Sequence, residues 1–292
     1  FEIINFYKKS ENLTNFKDDI TLGEYLKKKK LSKFFIDFHI IPMVAAIWSM
    51  PPYEAKQMPL KFFIKFFQNH GLFKFKNRPQ WYTVSNRSKT YVNKVLNKIT
   101  GEHYKNYKIN KIESYTKSAR IYYGGENEFF DYDKVVVATH ADEALNIIKN
   151  LSSNQISILS KFKYKENIAI IHSDDSAMPK NKKAWCSWNS SIDQYNPKNN
   201  SVTYWLNLLQ NLKTNQNIFL TLNPFFEIKK NKIYKKVKFT HPYFNKDALE
   251  NQSNLHLIQN KKNILFTGSY FGYGFHEDGI KSSIQMIKQV YD

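Results

Sequence analysis

Near its C-terminus the chain changes hydrophobic period twice. Ile264 to Thr267 form a continuous apolar run, Gly268, Gly272 and Gly274 punctuate the next stretch, and Ile280, Ile284, Ile287 and Val290 then recur on one face of a helical period. The pattern predicts strand, loop and helix. Glycines there let backbone approach a ligand where a Cβ would collide. A helix starting near Glu277 would aim free N–H groups and its positive dipole end at the loop. An anionic or electron-rich ligand edge suits such a place, although a plain strand-to-helix connection with a glycine turn leaves the same trace.

The rest of the chain is read the same way. Residues 1–20 predict a helix remnant and a polar loop. Thr21-Leu-Gly-Glu24 is a capping-box pattern opening a short helix through Lys30. Ser32 to Met50 is apolar on most sides, which predicts one buried helix stopped by Pro51-Pro52. A second helix is predicted from Leu60 to Gln68, ended by Asn69-His70-Gly71 as a left-handed cap would end it, and a third over Ser88 to Ile99. From Tyr104 the period becomes two. Short strands with a Gly124-Gly125 turn lead into Val135-Val-Val-Ala-Thr139, which predicts a strand buried on both faces, as in a parallel sheet. Ligands bind beyond the carboxyl ends of such strands, so Thr139 and His140 are candidate site residues. A helix over Ala141 to Lys149 follows, then strands at 167–174, 201–205 and 218–222, a weaker one at 237–240, and a helix from about Asp247 to His256.

Composition changes this picture little. A chain of 292 residues with 42% hydrophobic and 16% aromatic residues can bury a large core. No apolar run is long enough for a transmembrane helix. The lone cysteine, Cys186, excludes an internal disulfide, fits a reducing cytoplasm, and is expected to be a small buried apolar residue. The formal charge of +19 rests on lysine, with Arg78, Arg87 and Arg120 the only arginines. Bidentate base and phosphate contacts favour arginine, so no nucleic-acid partner is expected. Lysine runs such as Lys27 to Lys30 and 229–236 are solvated faces by default, with peripheral contact with an anionic membrane surface as the functional alternative.

The chemistry of the side chains excludes more than it suggests. Eight histidines form neither H-e-x-x-H nor any pattern with C-x-x-C, so no metal is expected. There is no G-x-S-x-G elbow for a hydrolase nucleophile. No acid–base pair stands out, and the catalytic residues stay unassigned.

One resemblance organises these readings. Phe266-Thr-Gly-Ser followed by Gly274-Phe-His-Glu-Asp-Gly279 resembles the C-terminal flavin-binding segment of FAD-dependent oxidoreductases of the flavin-containing amine oxidase superfamily, and within it a bacterial group of amine-oxidase-like NAD/FAD-binding proteins. The same group is matched, in order, by Pro42-Met-Val-Ala-Ala-Ile-Trp-Ser49, Asn69-His-Gly-Leu72, Arg78-Pro-Gln-Trp81, Val135-Val-Val-Ala-Thr-His140, Ala184-Trp-Cys-Ser-Trp-Asn189, Thr221-Leu-Asn-Pro224 and His241-Pro242.

The resemblance implies an α/β FAD/NAD(P)-binding flavoprotein fold with a mixed helix and antiparallel-sheet substrate domain. Residues 1–80 would form the helical part of that domain, and 151–258 its antiparallel sheet. Residues 81–150 would belong to the FAD-binding domain, as would the strand-loop-helix of 259–292. FAD would be held by Thr139, His140, Gly268, Ser269, Gly274, Phe275, His276, Glu277, Asp278 and Gly279, and a substrate pocket lined by Trp48, Trp81, Trp185 and Trp188. In the family a glycine pair stands where this chain has Asn86-Arg87, a left-handed turn that asparagine tolerates and arginine resists. No G-x-G-x-x-G is present and the first residue is Phe1, so the chain is expected to lack the family's N-terminal βαβ unit and, alone, to bind FAD poorly.

The function implied is flavin-dependent removal of hydride from a C–H bond of an organic substrate. The many aromatic residues and the lysine surface point to an apolar or lipid-like one, and the lone cysteine and lysine runs to the cytoplasm or the periphery of the inner membrane surface. The alternatives are a non-catalytic basic binding module on the same scaffold and, more remotely, a nucleic-acid binder.

Overall fold

The computed structural model describes residues 1–292 except 11, 12, 14–19, 126, 194, 197, 198 and 292. Most of the polar loop expected before residue 20 therefore lies outside the described residues. The chain divides into two compact units. The first comprises Phe1–Thr100 and Glu166–His241, the second Gly101–Lys165 and Pro242–Asp292.

In chain order the first unit opens with α1 (Glu2–Ser10), α2 (Leu22–Lys28), α3 (Lys33–Phe35), a π turn over Ile36–Ile40, α4 (Ile41–Trp48), α5 (Pro52–Ala55), α6 (Leu60–Asn69) and α7 (Ser88–Leu96). The second unit contributes β1 (Lys111–Ser114), β2 (Ala119–Tyr122), β3 (Phe129–Tyr132), β4 (Val135–Val137), α8 (Ala141–Ile147) and α9 (Ser153–Leu159). Next come β5 (Lys163–His172), β6 (Trp188–Ile192), β7 (Asn200–Trp205), α10 (Leu206–Leu209), β8 (Phe219–Leu222) and β9 (Ile233–Tyr243). The chain ends with α11 (Lys246–Gln252), β10 (Ile264–Phe266) and α12 (His276–Tyr291) of the second unit.

The cap expected at Thr21 is present. Its hydroxyl accepts from the Glu24 amide at 3.2 Å while the Glu24 carboxylate accepts from the Thr21 amide at 2.8 Å. The single helix expected over 32–50 is broken. Pro42 has no N–H and its ring crowds the carbonyl four residues back, so the preceding turn widens, with the Ile41 amide reaching the Ile36 carbonyl. Nor is this helix buried all round: Phe35, Ile40, Ile41 and Val44 are inside, but Phe34 and Phe38 are exposed. Phe63 and Phe67 of α6 close the core against Phe73, with ring centroids 4.3–5.9 Å apart. Gly71 supplies the left-handed residue that ends α6, at φ 61°. α7 stops at Leu96, short of the expected Ile99, and buries no residue.

Five strands form one sheet in the order β6-β7-β8-β5-β9, antiparallel where β6 meets β7, β7 meets β8 and β8 meets β5. Its interior is partly polar. His172, Thr203 and Thr221 are fully buried and bonded in series, His172 Nε2 to Thr221 Oγ1 at 2.7 Å and Thr221 Oγ1 to Thr203 Oγ1 at 2.9 Å.

In the second unit β1, β2 and β3 form the expected antiparallel meander, although β1 starts at Lys111, beyond exposed Tyr107 and Ile109. β4 and β10 pair in parallel, Val136 opposite Leu265. Burial of the Val135 run on both faces does not hold. Val135 and Val137 enter the core with Ile264 and Phe266, whereas Val136 is 47% exposed on the other face.

At Phe266 a side chain replaces a strand. Gln259 Nε2 donates to the Phe266 carbonyl at 2.8 Å and Gln259 Oε1 accepts its amide at 2.9 Å, so both buried groups are satisfied. α9 was not predicted, although Ser152-Ser-Asn-Gln155 carries its capping box. α12 presents an unexpected side. Ile280, Ile284 and Ile287 do share a face, but that face is half-exposed, and the helix is seated through Ser282 and Met286 instead. No helix among the described residues is long and apolar enough to cross a membrane.

Candidate functional site

Parallel pairing brings the carboxyl ends of β4 and β10 together. The Thr267 amide donates to the Val137 carbonyl at 3.2 Å, and the Thr139 carbonyl lies 3.7 Å from where a Cβ on Gly268 would stand. The loop that follows β10 is tied to α12 by hydroxyls. Thr267 Oγ1 lies 2.6 Å from Ser282 Oγ and 2.7 Å from Ser283 Oγ, the Gly268 amide donates to Ser282 Oγ at 3.0 Å, and Ser282 donates to the Gly279 carbonyl at 2.7 Å. The seat of α12 is thus polar, which is why its isoleucines face outward.

Two further side chains lock the loop. The Asp278 carboxylate accepts from the Phe275 amide at 2.9 Å and lies against Gly272, where a Cβ would stand 2.2 Å from its Oδ1. Gln252 Nε2 donates to the carbonyls of Tyr270 and Gly272 at 3.0 and 2.6 Å. Tyr270 is buried against Phe162, burial pushes its hydroxyl pKa up, and its oxygen has no hydrogen-bond partner among the described residues. Gly268 is held bare by the Tyr270 ring, 2.7 Å from a Cβ, and Gly274 by its φ of 94°.

Gly279 differs from the others. A Cβ there would meet nothing nearer than the Ser269 nitrogen at 3.9 Å, and the Ser269 amide donates no hydrogen bond among the described residues. At the first turn of a 16-residue helix a side chain could therefore start without a clash, in ordinary contact with the Ser269 amide.

The remaining predicted cofactor residues are placed as follows. Thr139 and His140 follow β4, and Thr139 donates to the His140 carbonyl at 3.1 Å. The His140 ring stacks on Tyr164 with centroids 4.1 Å apart, and its amide donates to Glu143 at 3.1 Å, so His140 starts α8. Tyr164, itself raised in pKa by burial, accepts from the Ala141 amide at 3.0 Å. Phe275, His276 and Glu277 are exposed, and Glu277 pairs with Lys281 across one turn of α12. Gln252, Tyr270, Ser282 and Ser283, which shape the loop, escaped sequence reasoning. Only the Ser282-Ser283 pair inside an otherwise apolar period could have signalled them.

The tryptophans fall in the first unit. Trp48 is buried and begins a row of rings, with Phe66 at 4.6 Å, His70 a further 4.0 Å from Phe66, and Trp81 6.5 Å from His70, itself exposed. Trp185 and Trp188 are not part of this row of rings. Trp185 packs edge-on to Trp205 and Phe219 and donates its indole N–H to the Pro179 carbonyl at 2.8 Å, while Trp188 packs on Tyr204. Cys186 is exposed rather than buried, because Asn189 bonds its amide and carbonyl at 3.1 and 2.6 Å in a short surface turn.

No protein-family model matches the sequence. No curated protein matches it either. Solved structures do match. A CLA-producing fatty acid isomerase from P. acnes superposes with a TM-score of 0.68 at 11% identity, covering 100% of this chain and 75% of that one. Cyclohexylamine oxidase from Brevibacterium oxydans gives 0.64 at 10%, with the same coverage. Putrescine oxidase gives 0.68 at 9%, covering 99% of this chain and 74% of its own. At such identities the likeness is one of fold alone, a mixed α/β fold shared with these proteins.

Proposed function

We propose that the protein is a flavin-dependent oxidoreductase and that FAD is held at the loop between β10 and α12. The observation that carries the reading is Gly279, where a Cβ would meet only the Ser269 nitrogen at 3.9 Å, on a loop otherwise locked by its own side chains. The fold likeness to two amine oxidases supports it. When bound, flavin supplies hydride acceptance from a substrate C–H bond.

The chain's own residues prepare the seat. Ser269 offers an amide hydrogen and the first turn of α12 a positive dipole end, both favouring an electron-rich ring edge. Gly279 leaves the room, while Asp278 and Gln252 hold the loop so that little is reorganised on binding. Gly268, Gly274, Phe275, His276 and Glu277 border the same loop, with Thr139 and His140 beyond the adjacent strand. The substrate is proposed to be apolar or lipid-like, contacted by Trp48, Trp81, Trp185 and Trp188, a reading supported by aromatic rings in the first unit and by a fold neighbour that is a fatty acid isomerase. A small amine is the second reading, favoured by the two amine oxidases.

In the protein expressed from its full gene, replacing Gly279 by Leu should eliminate flavin while leaving the circular dichroism spectrum intact. Ile284→Leu, at a half-exposed position of the same helix, should keep both. Equal flavin in the two variants would count against the loop as the cofactor seat.

A further inference from the structure

We propose that the first unit carries a docking surface for anionic phospholipid bilayers, built from Phe34 and Phe38 and the lysines around them. Phe34 is 75% and Phe38 64% exposed, and their rings pack on each other at 5.2 Å. Placed four residues apart across α3 and the π turn, they share the outward side while Phe35 between them is buried. Two phenylalanines in water serve no folding purpose, since neither contributes to the core.

Charge identifies the occupant. Lys27, Lys28, Lys29, Lys30 and Lys33 are all exposed. The C-terminal turn of α2, closed with Lys30 at φ 51°, folds this run back so that Lys27, Lys30, Lys33 and Lys56 rim one open groove of about 410 Å³ floored by Leu26 and Leu31. Three acids of the described residues here are engaged. Asp37 pairs with Lys56 at 3.5 Å, and the carboxylates of Glu24 and Glu2 accept from the amides of Thr21 and Ser32 at 2.8 and 2.7 Å. A net positive groove on the same helical segment as a protruding apolar pair complements a negatively charged surface with an apolar interior. Protein interfaces instead deplete lysine at their centres and favour arginine, which this patch lacks. Lysine stems can lie along the headgroup layer with the ammonium groups at phosphate depth, while the two rings enter the acyl boundary. The surface adsorbs and does not span.

The test is co-sedimentation with vesicles of phosphatidylglycerol and phosphatidylcholine, with pure phosphatidylcholine as reference. It needs no flavin, so its outcome is independent of the cofactor assignment. The protein should bind the anionic vesicles at low salt and leave them at high salt. Each lysine near an anionic surface is worth a factor of about five, so Lys30→Gln/Lys33→Gln should lower the partition coefficient roughly twenty-five-fold. Phe34→Ser/Phe38→Ser should lower it by at least about tenfold per ring, and both positions are exposed enough to leave the fold unchanged. Lys235→Gln/Lys236→Gln removes the same charge from exposed positions of β9 and should leave binding nearly intact. Absence of binding, or equal loss in the two lysine pairs, overturns the proposal. So does a Phe34→Ser/Phe38→Ser protein that binds as before or differs only in oligomeric state.

Discussion

Gly272→Ala tests how the candidate loop is held. A Cβ at position 272 would stand 2.2 Å from Asp278 Oδ1 and 2.9 Å from its Cβ, so the carboxylate must leave its hydrogen bond to the Phe275 amide. That bond caps α12 and is worth about 1 kcal/mol. The remaining overlap with the Asp278 Cβ adds about 1–3 kcal/mol of overpacking. Gly272→Ala should therefore destabilise by about 2–4 kcal/mol. Asp278→Ala alone should cost about 1 kcal/mol. In the double variant the cap is lost only once, so its cost should fall about 1 kcal/mol short of additivity, beyond the few tenths typical of independent sites. Urea denaturation of the four proteins measures this. Additive costs would refute the contact between Gly272 and Asp278, and with it the account of how the loop is locked.

Arg87 sits at φ 70°, ψ −177°, a region populated almost only by glycine, so Arg87→Gly should stabilise by about 1 kcal/mol; a lower urea midpoint would contradict this. Gln259→Met should cost about 2–4 kcal/mol, because it strands the amide and carbonyl of buried Phe266, and a shift under a few tenths would sink the strand-surrogate reading. His172 is buried and His39 half-buried, and desolvation holds both below the ordinary value of 6.5. Each binds a proton more readily when unfolded, so their effect is absent above that value and stability falls as pH drops below it. Thermal midpoints that stay level from neutral pH to pH 5 would contradict this.

Much of this arrangement was legible in the sequence. Local signals survived well: the Thr21 cap, the Gly124-Gly125 turn and the strand-loop-helix at the C-terminus depend on neighbours in the chain. Asn86 and Arg87, where the resemblance expects a glycine pair, both adopt positive φ, at 60° and 70°. What failed was the direction of burial. Periodicity says that Ile280, Ile284 and Ile287 share a face, but which face is seated depends on Thr267, distant in sequence and paired with Ser282. Val136 and Phe34 mislead in the same way, because apolar residues are free to stand outside the core when the packing partner lies elsewhere. Gln252 and Gln259 carry no local signal, as their roles exist only once the strands have come together.

The central claim is tested most directly by the visible absorbance of the protein purified from its native gene and reconstituted with FAD. The account predicts bound oxidised flavin that survives gel filtration in the wild-type protein and in Ile284→Leu, and is lost in Gly279→Leu. A protein that stays colourless after reconstitution, or a Gly279→Leu variant that retains the full flavin spectrum, would contradict it.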